Sequence, residues 1–185
     1  MLQSTKTFFS SALVFSALVI SSHTHAALLI DNFTDFQTVT DTGTPGSTSS
    51  ASLSLSAAAS SLTGVQRTLV SDATGGGFGN QEILIGEPGG PGTGGLLAIS
   101  NNTFSTGTAT ITWSGFTTTN FTTVANAILL EVLAIDLNVN VEMIVNGAST
   151  YTLSNLGSGN IFANFSSFSN PSAFNAVNQF QLKFT

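Results

Sequence analysis

Apolar and polar residues alternate with a period of two along much of this 185-residue chain. Successive side chains of a strand point to opposite faces, so the alternation predicts strands with one buried and one solvated face. "GTATITWSG" places Ala109, Ile111 and Trp113 on one face and Thr108, Thr110, Thr112 and Ser114 on the other. "NQFQLKFT" sends Phe180, Leu182 and Phe184 one way and Gln179, Gln181 and Lys183 the other. "NVNVEMIVNG" turns Val139, Val141, Met143 and Val145 inward and ends on Asn146-Gly147. Both of those residues tolerate the positive φ of a type I′ turn, so "ASTYTLS" is predicted to return as the second strand of a hairpin. Further strands are expected over residues 28–33, 36–40, 51–57, 65–71, 82–85 and 96–100. "NIFANFSSF" reads as a strand or an ordered loop.

One run breaks the alternation. "AILLEVLAID", residues 127–136, is apolar but for Glu131 until it closes on Asp136. It predicts a central strand covered on both faces, and the strand signals around it weigh against a buried helix. No convincing helical period occurs beyond the N-terminal stretch; "SAAASSL" is expected to form one helical turn. Strands spaced at about 10–15 residues, with Gly, Asn and Ser between them, describe an antiparallel β-sandwich or jelly roll. No fixed-period repeat points to a solenoid or propeller. "TPGSTSS" is expected to be a flexible turn, and "GGGFGN" and "GEPGGPGTGG" surface loops within one domain.

The N-terminus follows a different rule. Lys6 precedes "FFSSALVFSALVI", an apolar core over residues 8–20, and then "SSHTHA". That core is shorter than the roughly 20 residues a membrane-spanning helix needs. Thr24 and Ala26 stand at the −3 and −1 positions of an A-x-A-like cleavage site. Residues 1–26 are therefore expected to be a secretory signal cleaved after Ala26, with the bond after Ala27 as the alternative, leaving residues 27–185 as a single β-sandwich domain. The competing expectation is an apolar N-terminal helix of the fold. His23 and His25, the only histidines, could face one way on a strand as a metal pair, but they precede the cut.

Composition then narrows the chemistry. The processed chain keeps nine acids and two cations, Arg67 and Lys183, for a net charge of −7, and has neither His nor Cys. Two cations cannot neutralise a run of phosphates, which excludes nucleic acid as a partner. No second apolar stretch long enough for a transmembrane span follows the signal. Without His or Cys there is no Ser–His or Cys–His nucleophile, no thiolate or imidazole metal site and no disulfide. "GGGFGN" lacks the Lys of a phosphate-binding loop. No catalytic residue is expected, and the chain is read as a non-enzyme.

Several stretches together carry a resemblance: "LLIDNFTDFQTVTD", "VQRTLVSDATGGG", "GLLAISNNTFSTGTATITWSGF", "ILLEVLAIDLNVNVEMIVNG" and "SFSNPSAFNAVNQFQLKFT". In order and character the chain resembles the secreted β-sandwich proteins of the PEP-CTERM (exosortase-sorted) group of Gram-negative bacteria. The resemblance implies an exported protein of the cell surface or extracellular matrix, with a structural or binding role. That group ends in a Pro-Glu-Pro motif, an apolar span and an Arg-rich tail, which this sequence does not show. Either the sequence is cut short, leaving a strand missing beside Phe180–Phe184, or the protein is released unsorted.

Three candidate chemistries remain. A structural Ca²⁺ would need hard oxygen ligands such as Asp31, Asn32 and Asp35, or Asp72 before the Gly-rich loop; no cofactor is otherwise expected. A carbohydrate-binding module would use Trp113 and Tyr151 as platforms for extracellular polysaccharide, although Trp113 shares its face with Ala109 and Ile111 and reads as core. A carboxylate-dependent glycoside hydrolase would draw on Glu131, Asp136 and Glu142; otherwise Glu131 points to an edge or pairs with Arg67, and the other two solvate loop and strand surfaces. The row Thr108, Thr110 and Thr112 reads as a solvated face, and the phenylalanines as core. Self-association is a further expectation, since Thr- and Ser-rich strands carry few charges to block edge pairing.

Overall fold

The computed structural model describes residues 12–21, 28–43, 46–74, 80–86, 95–102, 105–135 and 138–185, the first of these by backbone alone. Among the described residues fourteen strands follow one another: β1 (Ala12–Ser21), β2 (Leu28–Asp31), β3 (Gln37–Asp41), β4 (Thr48–Ser49), β5 (Leu53–Ser54), β6 (Gln66–Thr74) and β7 (Gln81–Ile85). The series continues with β8 (Leu97–Asn101), β9 (Thr106–Ser114), β10 (Ala127–Ala134), β11 (Val141–Val145), β12 (Ser149–Leu153), β13 (Gly159–Asn164) and β14 (Phe180–Phe184). They form two seven-stranded sheets. One runs β13-β10-β1-β8-β7-β3 with β2 also on β1; the other runs β12-β11-β14-β9-β6-β4 with β5 also on β6. Every strand pairing within them is antiparallel. The chain is thus the all-β sandwich that its alternation predicts.

The core lies between the sheets and follows the period of two. Ala109, Ile111 and Trp113 of β9 are buried, as are Phe180, Leu182 and Phe184 of β14 and Val141, Met143 and Val145 of β11. From the other sheet Ile83, Ile85, Leu97, Ile99, Ile128, Leu130 and Val132 face them. The β11–β12 hairpin turns at Asn146 and Gly147, whose φ values of 52° and 68° are those of a type I′ turn. Asn146 also reaches back: its Oδ1 accepts from the Asn178 and Gln179 amides, and its Nδ2 donates to the Ala176 carbonyl.

Several expectations are corrected. Ala12–Ser21 is not the N-terminal helix of the competing expectation; it lies between β10 and β8 as a strand. β10 is not covered on both faces: Ile128, Leu130 and Val132 point into the core, whereas Leu133 is 49% exposed on the outer side. Phe36 and Phe162 are exposed as well, so the phenylalanines are not all core. β14 is no sheet edge, because β11 and β9 flank it. Residues 51–57 yield only the two-residue β5. "SAAASSL" makes a hydrogen-bonded turn, with the Ala59 and Ser60 amides donating to the Ser56 carbonyl. Three short 3-10 turns, Phe121–Thr123, Phe165–Ser167 and Pro171–Asn175, each bury one phenylalanine. Phe174 stacks on Phe165 at 3.8 Å and meets Phe168 edge-on at 4.8 Å, which closes one end of the core.

Candidate functional site

The polar residues within the resemblance stretches meet inside the core. β2 ends on Asp31, β6 turns Arg67 inward, and β9 sets Trp113 directly opposite Arg67 in the ladder. All three side chains are wholly buried. Arg67 Nη1 lies 2.6 Å from Asp31 Oδ2, and Trp113 Nε1 donates to the same oxygen at 2.8 Å. Asp31 Oδ1 accepts from the Phe33 amide at 2.7 Å. That bond helps hold Phe33 at φ 60°, a left-handed conformation that a bulky residue adopts only when its surroundings fix it.

Gln37 completes the cage. Its Oε1 accepts from Arg67 Nε at 2.8 Å, and its Nε2 donates to the Ser50 hydroxyl and the Ala51 carbonyl. Arg67 Nη2 donates to the Asp35 carbonyl. Asp31 and Gln37 belong to one sheet and Arg67 and Trp113 to the other, so the network ties the two layers together. Burial raises the Asp31 carboxyl above its ordinary pKa; the Arg67 charge and the hydrogen bonds from Trp113, Arg67 and Phe33 act against that rise.

A second buried set lies at the other end of the same strands. Asp41 Oδ2 accepts from the Ala73 amide and Oδ1 from the Gly43 amide. Ser71 donates to Gln81 Oε1, whose Nε2 donates to Asn101 Oδ1. Gly107 makes room for this set, since a Cβ there would stand 2.6 Å from the Asp72 carbonyl oxygen and 2.9 Å from Gln81 Nε2. Gln37, Asp41 and Gln81 escaped the sequence reading. Their signal was available, because each occupies the inward phase of its strand.

These positions bear on the three chemistries. Asp31 is spent on Arg67, Asn32 Oδ1 accepts from Thr34, and Asp35 accepts from the amide and hydroxyl of Ser56. Asp31, Asn32 and Asp35 therefore cap local turns and a buried pair instead of pointing at one centre. Asp72 is exposed on β6, and no group of three or more acidic, His or Cys side chains is placed to hold a metal among the described residues. Trp113 has no exposed surface, and Tyr151 is half-buried with its ring 5.4 Å from Phe168. Arg67 pairs with Asp31 and not with Glu131. Glu131 and Glu142 face outward from different sheets, so they do not flank one cleft. Asp136, His23, His25 and Ala26 lie outside the described residues.

One surface feature was not foreseen. Thr40, Asn80, Glu82, Ser100, Asn101 and Asn102 line an open hollow of about 290 Å³ on the β3-β7-β8 side of its sheet. Its walls are hydroxyls, amides and one carboxylate. Comparison with protein-family models, curated proteins and solved structures finds no match.

Proposed function

We propose that this chain is an exported β-sandwich of the cell surface or extracellular matrix, of the PEP-CTERM kind, with a structural or binding role and no catalysis. The observation that carries this reading is the state of Asp31, Arg67 and Trp113. The most chemically able residues of the resemblance stretches are buried and satisfied by one another, joining the two sheets. They build a scaffold, and a scaffold is what a surface or matrix protein requires. The Lys-bearing start, the short apolar core and the small residues at Thr24 and Ala26 support export with cleavage after Ala26. Expression of the full chain in a Gram-negative host, followed by fractionation and mass measurement, tests this. An extracellular or surface species beginning at Ala27 is expected; a cytoplasmic species retaining Met1 defeats the reading.

The polar hollow favours a second reading, binding of extracellular polysaccharide. Amides and hydroxyls at Asn80, Ser100, Asn101 and Asn102 match the hydrogen-bonding needs of sugar hydroxyls, with Glu82 as a charged acceptor. A glycan array separates the two readings. Saturable binding lost in Glu82→Gln and Asn80→Ala would favour the module. Trp113→Ala is uninformative here, because it would disturb folding before any ligand.

A further inference from the structure

We infer that the hollow on the β3-β7-β8 side takes an uncharged carbohydrate, and that a buried relay from Ser71 through Gln81 to Asn101 sets this preference. The inference rests on the polysaccharide-binding reading above and names its ligand class. Two residues break the pattern of their strands. The inward positions of β6 carry Arg67, Leu69, Ser71 and Ala73, and those of β7 carry Gln81, Ile83 and Ile85. Ser71 is wholly buried and Gln81 is 1% exposed, although an apolar side chain would fill either place without needing a partner. Polar residues kept at core positions are expected where they serve a site.

What these two serve is the amide of Asn101. Ser71 Oγ donates to Gln81 Oε1 at 2.9 Å, and Gln81 Nε2 donates to Asn101 Oδ1 at 3.0 Å. Gly107 leaves room for the relay, since a Cβ there would stand 2.9 Å from Gln81 Nε2. The Asn101 oxygen is thereby held on Gln81, and its Nδ2 is left as a donor to the hollow that Asn101 lines. Asn101 Nδ2 makes no hydrogen bond among the described residues. The same hollow is lined by Glu82, the middle member of a cross-strand row Thr40–Glu82–Ser100. Its carboxylate only accepts, and it has no hydrogen bond or ion pair among the described residues. The Thr40 and Ser100 positions flank it one strand spacing away on either side, about 4.8 Å.

A fixed donor and an unpaired acceptor in one hollow select among ligands. A cation such as Ca²⁺ needs about 6–8 oxygen ligands. The hollow has a single carboxylate, and the relay has withdrawn the Asn101 oxygen. An anionic sugar would meet the unpaired Glu82 carboxylate on a chain whose net charge is already −6. A carbohydrate hydroxyl donates and accepts at once, so the hydroxyls of one uncharged sugar can satisfy Asn101 and Glu82 together. No aromatic side chain is among the described residues that line the hollow, so the sugar is held by its hydroxyls and not by stacking of its ring.

The test uses isotope-labelled protein purified from expression of the full chain. Linear trisaccharides of glucose, mannose, galactose and N-acetylglucosamine are titrated in, and trigalacturonate and CaCl₂ separately. The side-chain NH₂ resonances of Asn101, assigned by their loss in Asn101→Asp, are followed by NMR. We expect saturable shifts with at least one neutral trisaccharide, binding of trigalacturonate weaker by about tenfold or more, and no shift with CaCl₂. Asn101→Asp still accepts from Gln81 but offers the hollow no donor, so it should fold and bind that trisaccharide about tenfold or more weakly. In Gln81→Met the Asn101 resonances should move before any sugar is added, and affinity should fall as well. Should Gln81→Met fail to fold, Asn101→Asp decides the matter alone. No shift with any of the sugars would fail the binding reading and the inference together. Binding lost in Glu82→Gln but intact in Asn101→Asp, or intact in a folded Gln81→Met, would leave the binding reading standing and overturn the inference. Trigalacturonate or CaCl₂ matching the neutral sugars at the Asn101 resonances would overturn it too.

Discussion

Arg67 and Trp113, cross-strand neighbours on β6 and β9, converge on one oxygen of Asp31 from the opposite sheet, at 2.6 Å and 2.8 Å. A carboxylate so placed fixes how the two layers sit, because neither sheet can slide without breaking two charge-assisted bonds.

Breaking this pair from either side should be costly. Arg67→Met leaves Asp31 buried without its counter-charge, and Asp31→Ala does the same to Arg67. Each is expected to lose about 3–5 kcal/mol of folding stability in urea titrations. Replacing both residues by apolar ones should cost much less than the sum of the two. Additive losses would show that the residues do not act as a unit.

The raised Asp31 pKa gives a pH dependence whose sign can be stated. The folded state holds the Asp31 proton more firmly than the unfolded chain, where the value is about 3.9. Unfolding therefore releases this proton between the ordinary value and the raised one. The Asp31 contribution to stability grows as pH falls through that window and shrinks as pH rises through it. Subtracting the stability profile of Asp31→Asn from that of the parent isolates the contribution. A difference that grows with rising pH would contradict it.

Trp113 is the chain's only tryptophan and has no exposed surface, so it reports on the core. Its emission should be blue-shifted when folded and move to the red on unfolding. Trp113→Phe keeps the packing against Phe180, at 5.7 Å, but removes the indole donor to Asp31. A loss of about 1–3 kcal/mol is expected from leaving that acceptor short of a partner. An unchanged unfolding midpoint would mean the bond contributes nothing net.

Much of the architecture was legible before the structure, for a physical reason. Where a strand has one wet face, its alternation states its own orientation, and Ala109, Ile111, Trp113, Phe180, Leu182 and Phe184 all turn inward as read. The Asn146-Gly147 turn was equally plain, since its backbone conformation restricts the residues that fit. The misreadings have the opposite origin. β10 is apolar on both faces, so its sequence could not say that Leu133 stands in solvent. The 3-10 turns are too short to show a period. The buried network was half legible. Arg67 and Trp113 occupy inward phases, but a sequence shows no distances, so the pairing with Asp31 and not Glu131 had to be seen.

The two glycines Gly107 and Gly157 should respond differently to a methyl group. At Gly107 the new Cβ would meet the Asp72 backbone at 2.6 Å and the Ala73 Cα at 3.0 Å, atoms that cannot swing aside. Gly107→Ala is expected to cost about 1–3 kcal/mol as β6 and β9 are forced apart. At Gly157 nothing lies within 4 Å, so Gly157→Ala should be neutral or slightly stabilising. Equal thermal shifts in the two variants would contradict the geometry.

The outer face of β10 and β13 allows a test of self-association that leaves the core alone. Phe162 lies opposite Leu129, and Phe162 and Leu133 are 54% and 49% exposed. Paired outward apolar residues near a sheet edge favour contact between copies, whereas the excess of acids favours separation. Adding salt screens the second effect and not the first. Association in sedimentation velocity should therefore strengthen with ionic strength and fall in the double variant Phe162→Ser, Leu133→Thr. Because neither side chain is core, each change should alter folding stability by no more than about 0.5 kcal/mol. A large loss of stability would mean that these side chains are covered in the folded protein. Association unaltered by the double variant would place the contact elsewhere on the molecule.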